Sequence, residues 1–199
     1  MKVVTLIGGD FKGACGELAR RVGVRFDPDV VVGILNGGAY VGRQVLAALP
    51  PKEGRAYAEV RLQRSSTESK DNPIVSFLLR HLPLPVLDML RKAEAVVLEH
   101  RLGKNPPRRE GSIEFMDEIS DVLAQGGKNV LIVDDAIDSG ATIALVKEYI
   151  SGNFPGNDVR TAVITVTTRH PIADADYWLY HDRVLIRFPW SKDAKEKKK

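Results

Sequence analysis

The sequence predicts an α/β fold: a doubly wound, mainly parallel sheet with helices on both faces. Three observations carry it. Residues 30–35 and 130–133 are near-continuous apolar runs, the pattern of strands buried on both faces rather than on one. Segments of helical pattern alternate with the strand-like runs, the order that builds a parallel sheet. The second run ends in two adjacent carboxylates, Asp134 and Asp135, followed by Asp138 and a small hydroxylated loop. That places acids at the carboxyl edge of a sheet, where open α/β folds bind ligands.

Residues 1–7 are a short β-like run ending at Gly8-Gly9, and 13–23 are helical with Leu18, Ala19 and Val22 as the inner face. Asp27-Pro28-Asp29 is a turn. Strand 30–35 leads through Asn36-Gly37-Gly38 into a helix that runs to Leu49, where Pro50-Pro51 stops it. Residues 56–62 alternate weakly and read as a strand, and the polar 63–72 as a loop. Residues 73–99 form a Leu-rich helical stretch broken at Pro83 and Pro85, 100–112 a loop, and 113–125 a helix capped by Ser112. The acidic strand then gives a helix to about residue 150, and 159–167 another strand. The aromatic and β-branched residues of 176–189 read as a final strand pair or a strand and turn. One domain is expected over 1–190, with a basic, disordered tail over 191–199.

At 199 residues the chain is long enough for one domain with a substantial core. A hydrophobic fraction of 44% and a charged fraction of 28% suit a globular protein. No apolar run approaches the ~20 residues of a membrane span, and the N-terminus lacks the apolar core of a signal peptide. Cys15, the single cysteine, excludes an internal disulfide and fits a reducing cytosol. A cytoplasmic protein with no membrane partner is expected. Cys15 reads as a buried or bystander thiol rather than a nucleophile, since no base is suggested beside it. The net charge is +3. Part of the positive charge lies in the tail lysines, which read as a solubility device in preference to a nucleic-acid contact.

The chemistry is concentrated in VLIVDDAIDSGAT, residues 130–142. Asp138, Ser139, Gly140, Ala141 and Thr142 turn into a helix. Unpaired N–H groups and the helix dipole make such a terminus a phosphate site, and Ser139 and Thr142 add hydroxyls. The stretch resembles the 5-phosphoribosyl-1-pyrophosphate (PRPP) signature of the type I phosphoribosyltransferases, with Ser139 where Thr is commoner. The resemblance is nearest to the purine (hypoxanthine/guanine/xanthine) branch. It implies Mg²⁺-dependent transfer of 5-phosphoribosyl from PRPP to a ring nitrogen of a purine-like base, with release of pyrophosphate. Asp134 and Asp135 would accept hydrogen bonds from the ribose hydroxyls and act on Mg²⁺ only indirectly. Residues 138–142 would hold the 5-phosphate, and Asp138 would take the proton from the attacking nitrogen. A helix cap alone is the alternative role for Asp138, and the family pattern favours the base. A homodimer is implied on the same ground.

The second loop, VVGILNGG, resembles the family's pyrophosphate loop, which often holds a non-proline cis peptide; the resemblance places it at Leu35-Asn36. Leu35, Asn36, Gly37 and Gly38 would then bind pyrophosphate, with Asn36 standing where some relatives have Lys or Arg. Residues 61–70 occupy the place of the family's mobile loop, and Arg61, Arg64 and Lys70 could neutralise the leaving pyrophosphate. The segment ending IRFPW, residues 186–190, resembles the base-binding hood, built from the N-terminal segment and 170–190. Base contacts would come from Ile137, Arg169, Leu185 and Ile186. Two departures stand out: Leu185 replaces the usual stacking ring, and Arg169 is the nearest candidate for a lysine that holds an exocyclic oxygen.

The helical insert, about 73–112, exceeds what a compact salvage enzyme needs. It could extend the hood, form a dimer contact or serve as a lid. Three functions therefore stay open: transfer to a purine-like base, the same chemistry on a non-purine acceptor in a specialised pathway, or a non-catalytic PRPP or nucleotide sensor. The insert and Leu185 favour the second; Asp138 and the basic loop speak against the third.

Overall fold

Two strands without an exposed side chain set the architecture. β2 (Val30–Ile34) and β5 (Asn129–Ile137) lie side by side in parallel, with Gly33 opposite Val133. Val30, Val31, Val32 and Val130 through Val133 are all fully buried. The computed structural model describes residues 1–64, 82–104, 111–181, 183–191, 193 and 194. The remaining elements are β1 (Lys2–Thr5), α1 (Gly9–Gly23), α2 (Gly37–Ala48), β3 (Ala56–Arg64), α3 (Leu84–Lys104), β4 (Gly111–Phe115), α4 (Ser120–Ala124), α5 (Ala141–Asn153), β6 (Asp158–Val166), β7 (Tyr177–Tyr180) and β8 (Val184–Arg187).

The main sheet has the order β4-β3-β2-β5-β6-β7. All its pairings are parallel except β3 with β4. Alternate residues of the central strands serve two cores. Val31, Leu131, Val133 and Ile164 pack with Phe11, Leu18 and Val22 of α1 and Val41 and Val45 of α2. Val30, Val32, Val130 and Ile132 pack on the opposite face with Leu123 of α4 and Ile143, Val146 and Ile150 of α5. The fold is therefore doubly wound, as the sequence predicts. Leu18, Ala19 and Val22 are the inner face of α1, and Cys15 is fully buried, its thiol pushed up to about 12 by desolvation. That environment suits an inert core thiol. No helix among the described residues is long and apolar enough to cross a membrane.

Several boundaries differ from the sequence reading. Residues 111–115 form a strand, not the start of a helix at 113; only Ser120–Ala124 is helical there. Ser112 is thus not a cap but sits in β4 opposite Gln63, and the apolar Ile113 meets Leu62. The helix α3 continues to Lys104, through residues expected as a loop, and Pro85 does not break it. Proline in the first turn of a helix gives up an N–H that has no partner there. β7 and β8 do not pair with each other: β7 extends the main sheet beside β6, and β8 pairs with β1 in a separate two-stranded sheet. Residues 63 and 64, expected in a loop, end β3, and the expectations for 65–81 with Lys70, for 105–110, and for 192 and 195–199 of the tail lie outside the described residues.

The tail is corrected in part. Asp193, expected in a disordered segment, is 5% exposed and holds two arginines. Its Oδ2 accepts from Arg91 Nε (2.8 Å) and Arg187 Nε (2.9 Å), and its Oδ1 accepts from Arg91 Nη2. Arg187, itself buried, also donates to Asp88 Oδ1 (2.6 Å) and Thr5 Oγ1 (2.9 Å), and Arg91 Nη1 donates to the Ile186 carbonyl (3.0 Å). One carboxylate thus ties α3, β1 and β8 to the chain's end. Burial alone would raise the Asp193 carboxyl; the hydrogen bonds from Arg91 and Arg187 reverse this and hold it at about 2.

Since that value lies below the 3.8 of a free Asp, the pairing stabilises the fold above pH ~4 and is lost as pH falls through ~2, a contribution of about 2 kcal/mol. Asp193→Asn should lower unfolding free energy at neutral pH by at least that much, because it leaves buried guanidinium groups underpaired. In denaturant titrations the gap between the two proteins should narrow from pH 4 to pH 2; a gap independent of pH contradicts the assignment.

Candidate active site

The chain leaves β2 toward one face of the sheet and β5 toward the other, so their carboxyl ends open into a crevice. The backbone of 36–38 runs against the acidic end of β5 so closely that side chains are excluded. A Cβ on Gly38 would lie 2.6 Å from the Val133 carbonyl oxygen and 2.7 Å from Asp134 Cα, and one on Gly37 would strike the Asp135 carboxylate. Only glycine permits this approach. The peptide Leu35-Asn36 is cis, at the position the family resemblance indicates.

Asp134 is buried and its Oδ1 accepts the Asp135 N–H (2.9 Å). Desolvation pushes the Asp134 carboxyl well up, and the charge of Asp135 adds to this. Desolvation raises Asp135 also, against hydrogen bonds that favour its ionised form, among them one from Trp190 Nε1 (3.1 Å). Trp190 is held between rings: stacked on Phe188 at 4.9 Å and on Tyr40 at 5.1 Å, with Phe11 edge-on at 5.4 Å. Trp190 packs among these rings, and its indole N–H also positions an acid of the site, which the sequence did not disclose.

Asp138 is exposed, and its Oδ1 accepts from the Thr167 hydroxyl at 2.5 Å, while Thr168 Oγ1 donates to its carbonyl (2.7 Å). The cap of α5 is Gly140, in the left-handed region at φ 80°, so Asp138 does not serve as the cap. Its carboxylate is free to face the crevice. Gly140 lies against the backbone of Ala173, and Ser139 Oγ accepts the Ala141 N–H (3.2 Å). The helix N-terminus thus opens toward the acids.

Two cavities meet here. The first, about 250 Å³, is lined by Leu35, Asn36, Gly37, Asp134, Asp135 and the 137–140 loop with Thr142. The second, about 360 Å³, is lined by Leu185, Ile186, Phe188, Trp190, Thr165, Thr167 and three α3 residues, Arg91, Glu94 and Ala95. Asp135, Ala136 and Asp138 line both. Ile137 belongs to the first cavity and Leu185 and Ile186 to the second. Gly38 and Ala141 are buried beside the crevice. Arg61 is not brought in: it is exposed on β3, and its neighbour Leu62 takes the lining position. Arg64 ends β3 opposite Gly111. Arg169 is exposed and lines neither cavity.

Thr167, Trp190, Arg91 and Glu94 were missed by sequence reasoning. The hydroxyl-rich end of β6 beside β5 was the available signal for Thr167; extension of the hood was one of three roles open to the insert, but nothing in the sequence singled out Arg91 or Glu94. No three His, Cys, Asp or Glu among the described residues cluster into a metal cage. Two adjacent carboxylates, one deeply buried, suit a hydrated divalent cation carried in by a ligand's own oxygens, the habit of Mg²⁺.

Trp190→Phe keeps the ring stack and deletes one donor to Asp135. The Asp135 carboxyl should titrate at higher pH in this variant, since the lost bond favoured the ionised form. Carbon-13 NMR of the side-chain carboxyls checks this; an unmoved titration means the indole only packs.

Comparisons place this geometry. No curated protein matches the chain by sequence. A purine phosphoribosyltransferase from Pyrococcus horikoshii Ot3 shares the fold at TM-score 0.61 and 17% identity, over 100% of both chains. A Helicobacter pylori xanthine-guanine-hypoxanthine phosphoribosyltransferase does so at 0.58 and 15%, over 95% of this chain and 94% of that one. A Neisseria gonorrhoeae protein with bound ppGpp does so at 0.55 and 16%, over 98% and 91%. The model of the phosphoribosyl transferase domain matches residues 10–194. Nearly the whole chain, acidic strand end and glycine loop included, therefore belongs to the phosphoribosyltransferase family.

Proposed function

We propose that the protein transfers the 5-phosphoribosyl group of PRPP to a ring nitrogen of a purine-like base and releases pyrophosphate. The observation that carries this reading is the junction of two cavities at Asp135, Ala136 and Asp138. A transferase must hold donor and acceptor on either side of the reacting atom, and the effective concentration so gained is a large part of its rate. The first cavity suits the donor. N–H groups at the α5 N-terminus and the hydroxyls of Ser139 and Thr142 take the 5-phosphate, Asp134 and Asp135 the ribose hydroxyls, and the 35–38 loop the pyrophosphate. The second cavity suits the base.

In the reaction the base nitrogen attacks C1 of the ribose as the bond to pyrophosphate breaks, the electron pair leaving with pyrophosphate. The proton released from the base passes to Asp138, which Thr167 holds in place. The acids beside the ribose favour the positive charge that develops there. Mg²⁺, when bound, neutralises charge on the departing pyrophosphate. A cytoplasmic homodimer is part of the same reading, and light scattering tests the dimer. A nucleotide-sensing role is the second reading, favoured by the ppGpp in the Neisseria protein; binding without turnover would support it.

Titration calorimetry with Mg²⁺ and PRPP should show binding that Asp134→Asn/Asp135→Asn abolishes. Because burial raises both carboxyls, binding of the cation-bearing donor should release protons and tighten as pH rises; calorimetry in buffers of different ionisation enthalpy reads this directly, and no proton release would contradict it. Asp138→Asn should cut kcat by about 10²–10⁴ while leaving PRPP affinity nearly unchanged. An unaltered kcat removes Asp138 from the proposed role.

A further inference from the structure

The insert helix α3 walls the second cavity with one face. Arg91, Glu94 and Ala95 are spaced i, i+3 and i+4, neighbours on a helix surface, and all three line the cavity beside Asp138, Leu185 and Trp190. The same face is anchored one turn earlier, where Leu87 is 2% exposed and Asp88 binds Arg187. Val86, Met89, Leu90, Val96 and Val97 lie exposed elsewhere on the helix, so Leu87 and the arginine–carboxylate network hold this orientation.

Beyond Asp135, Asp138 and the Trp190 indole, the polar side chains lining this cavity are Thr165, Thr167, Ser191, Arg91 and Glu94; Ser191 Oγ accepts the Phe188 N–H (3.0 Å). The Thr165 hydroxyl donates to the Val184 carbonyl (2.7 Å), and the Thr167 hydroxyl to Asp138. Arg169 lies outside. Arg91 uses Nε–H, one N–H of Nη2 and one of Nη1 on Asp193 and Ile186; a guanidinium has five, so two remain. Glu94, an exposed carboxylate, only accepts. Ala95 beside them has no side chain beyond Cβ to fill the cavity. This face of α3 thus offers a donor next to an acceptor.

We infer that Arg91 and Glu94 read the edge of the acceptor base remote from the reacting nitrogen, and so set its specificity. Arg91 donates to an exocyclic oxygen, and Glu94 accepts from the adjacent ring N–H and exocyclic amino group. That is the edge of a guanine-type base. A dioxo base sets a carbonyl oxygen against Glu94, and an adenine-type base presents an amino group to Arg91 and a lone pair to the carboxylate; both set donor against donor or acceptor against acceptor. The inference rests on the proposed phosphoribosyl transfer for calling this cavity the acceptor site.

Calorimetric affinities for GMP, IMP and XMP on the wild type and on Glu94→Gln test it. Glu94 is exposed, so the variant keeps the core, and circular dichroism checks that. The wild type should prefer GMP to XMP, and the glutamine, which can donate to the second oxygen, should shrink the ratio about tenfold or more. The same GMP:XMP ratio in both proteins overturns the inference. Pyrophosphate release is assayed in parallel. Nucleotide binding that shifts with Glu94 but no release with any purine would sink the transfer reading and leave the assignment of Glu94 standing.

Discussion

The site depends on one close approach: the Gly37-Gly38 backbone against the carboxylates at the end of β5. β2 and β5 are paired over their apolar lengths, and the chain departs from them to opposite faces. The polar loops that follow are left facing each other with no side chains between them. Any residue larger than glycine at 37 or 38 would meet Asp135 or the β5 backbone. Buried acids are unfavourable unless partnered, and here a backbone N–H and the Trp190 indole supply partners while the carboxylates stay open to the cavity.

A second constraint builds the other half of the site. β8 carries Leu185 and Ile186 into the second cavity and is not part of the main sheet. It is held instead by parallel pairing with β1 and by Arg187, whose guanidinium reaches Thr5, Asp88 and Asp193. Arg91 repeats the device from α3. The insert is thereby joined to the small sheet by charge, and its position beside the second cavity follows from Asp193.

Much of this was legible in the sequence, for physical reasons. Strands buried on both faces are uniformly apolar, so β2 and β5 announced themselves, and the acids after β5 marked the sheet edge. The glycine pair and the family resemblance gave the cis peptide. What was not legible depended on tertiary pairing. GSIEF, residues 111–115, alternates apolar and polar at Ile113 and Phe115, but as an edge strand its identity rests on β3 beside it. Asp193 lies in a lysine-rich tail that reads as solvated until two arginines from distant segments reach it. Arg61 and Arg169 were chosen for charge and chain position, and neither lines the two cavities. Thr167 and Trp190 act by touching Asp138 and Asp135, contacts across 29 and 55 positions of chain.

The central claim is that donor and acceptor meet at the residues the two cavities share. Phosphorus-31 NMR of the protein with Mg²⁺, PRPP and guanine tests it most directly. The account predicts that PRPP signals are replaced by pyrophosphate and a nucleoside 5-monophosphate in equal amounts, and that Asp138→Asn slows both together. Persistence of intact PRPP with each of guanine, hypoxanthine and xanthine, or pyrophosphate formed without nucleotide, would contradict it.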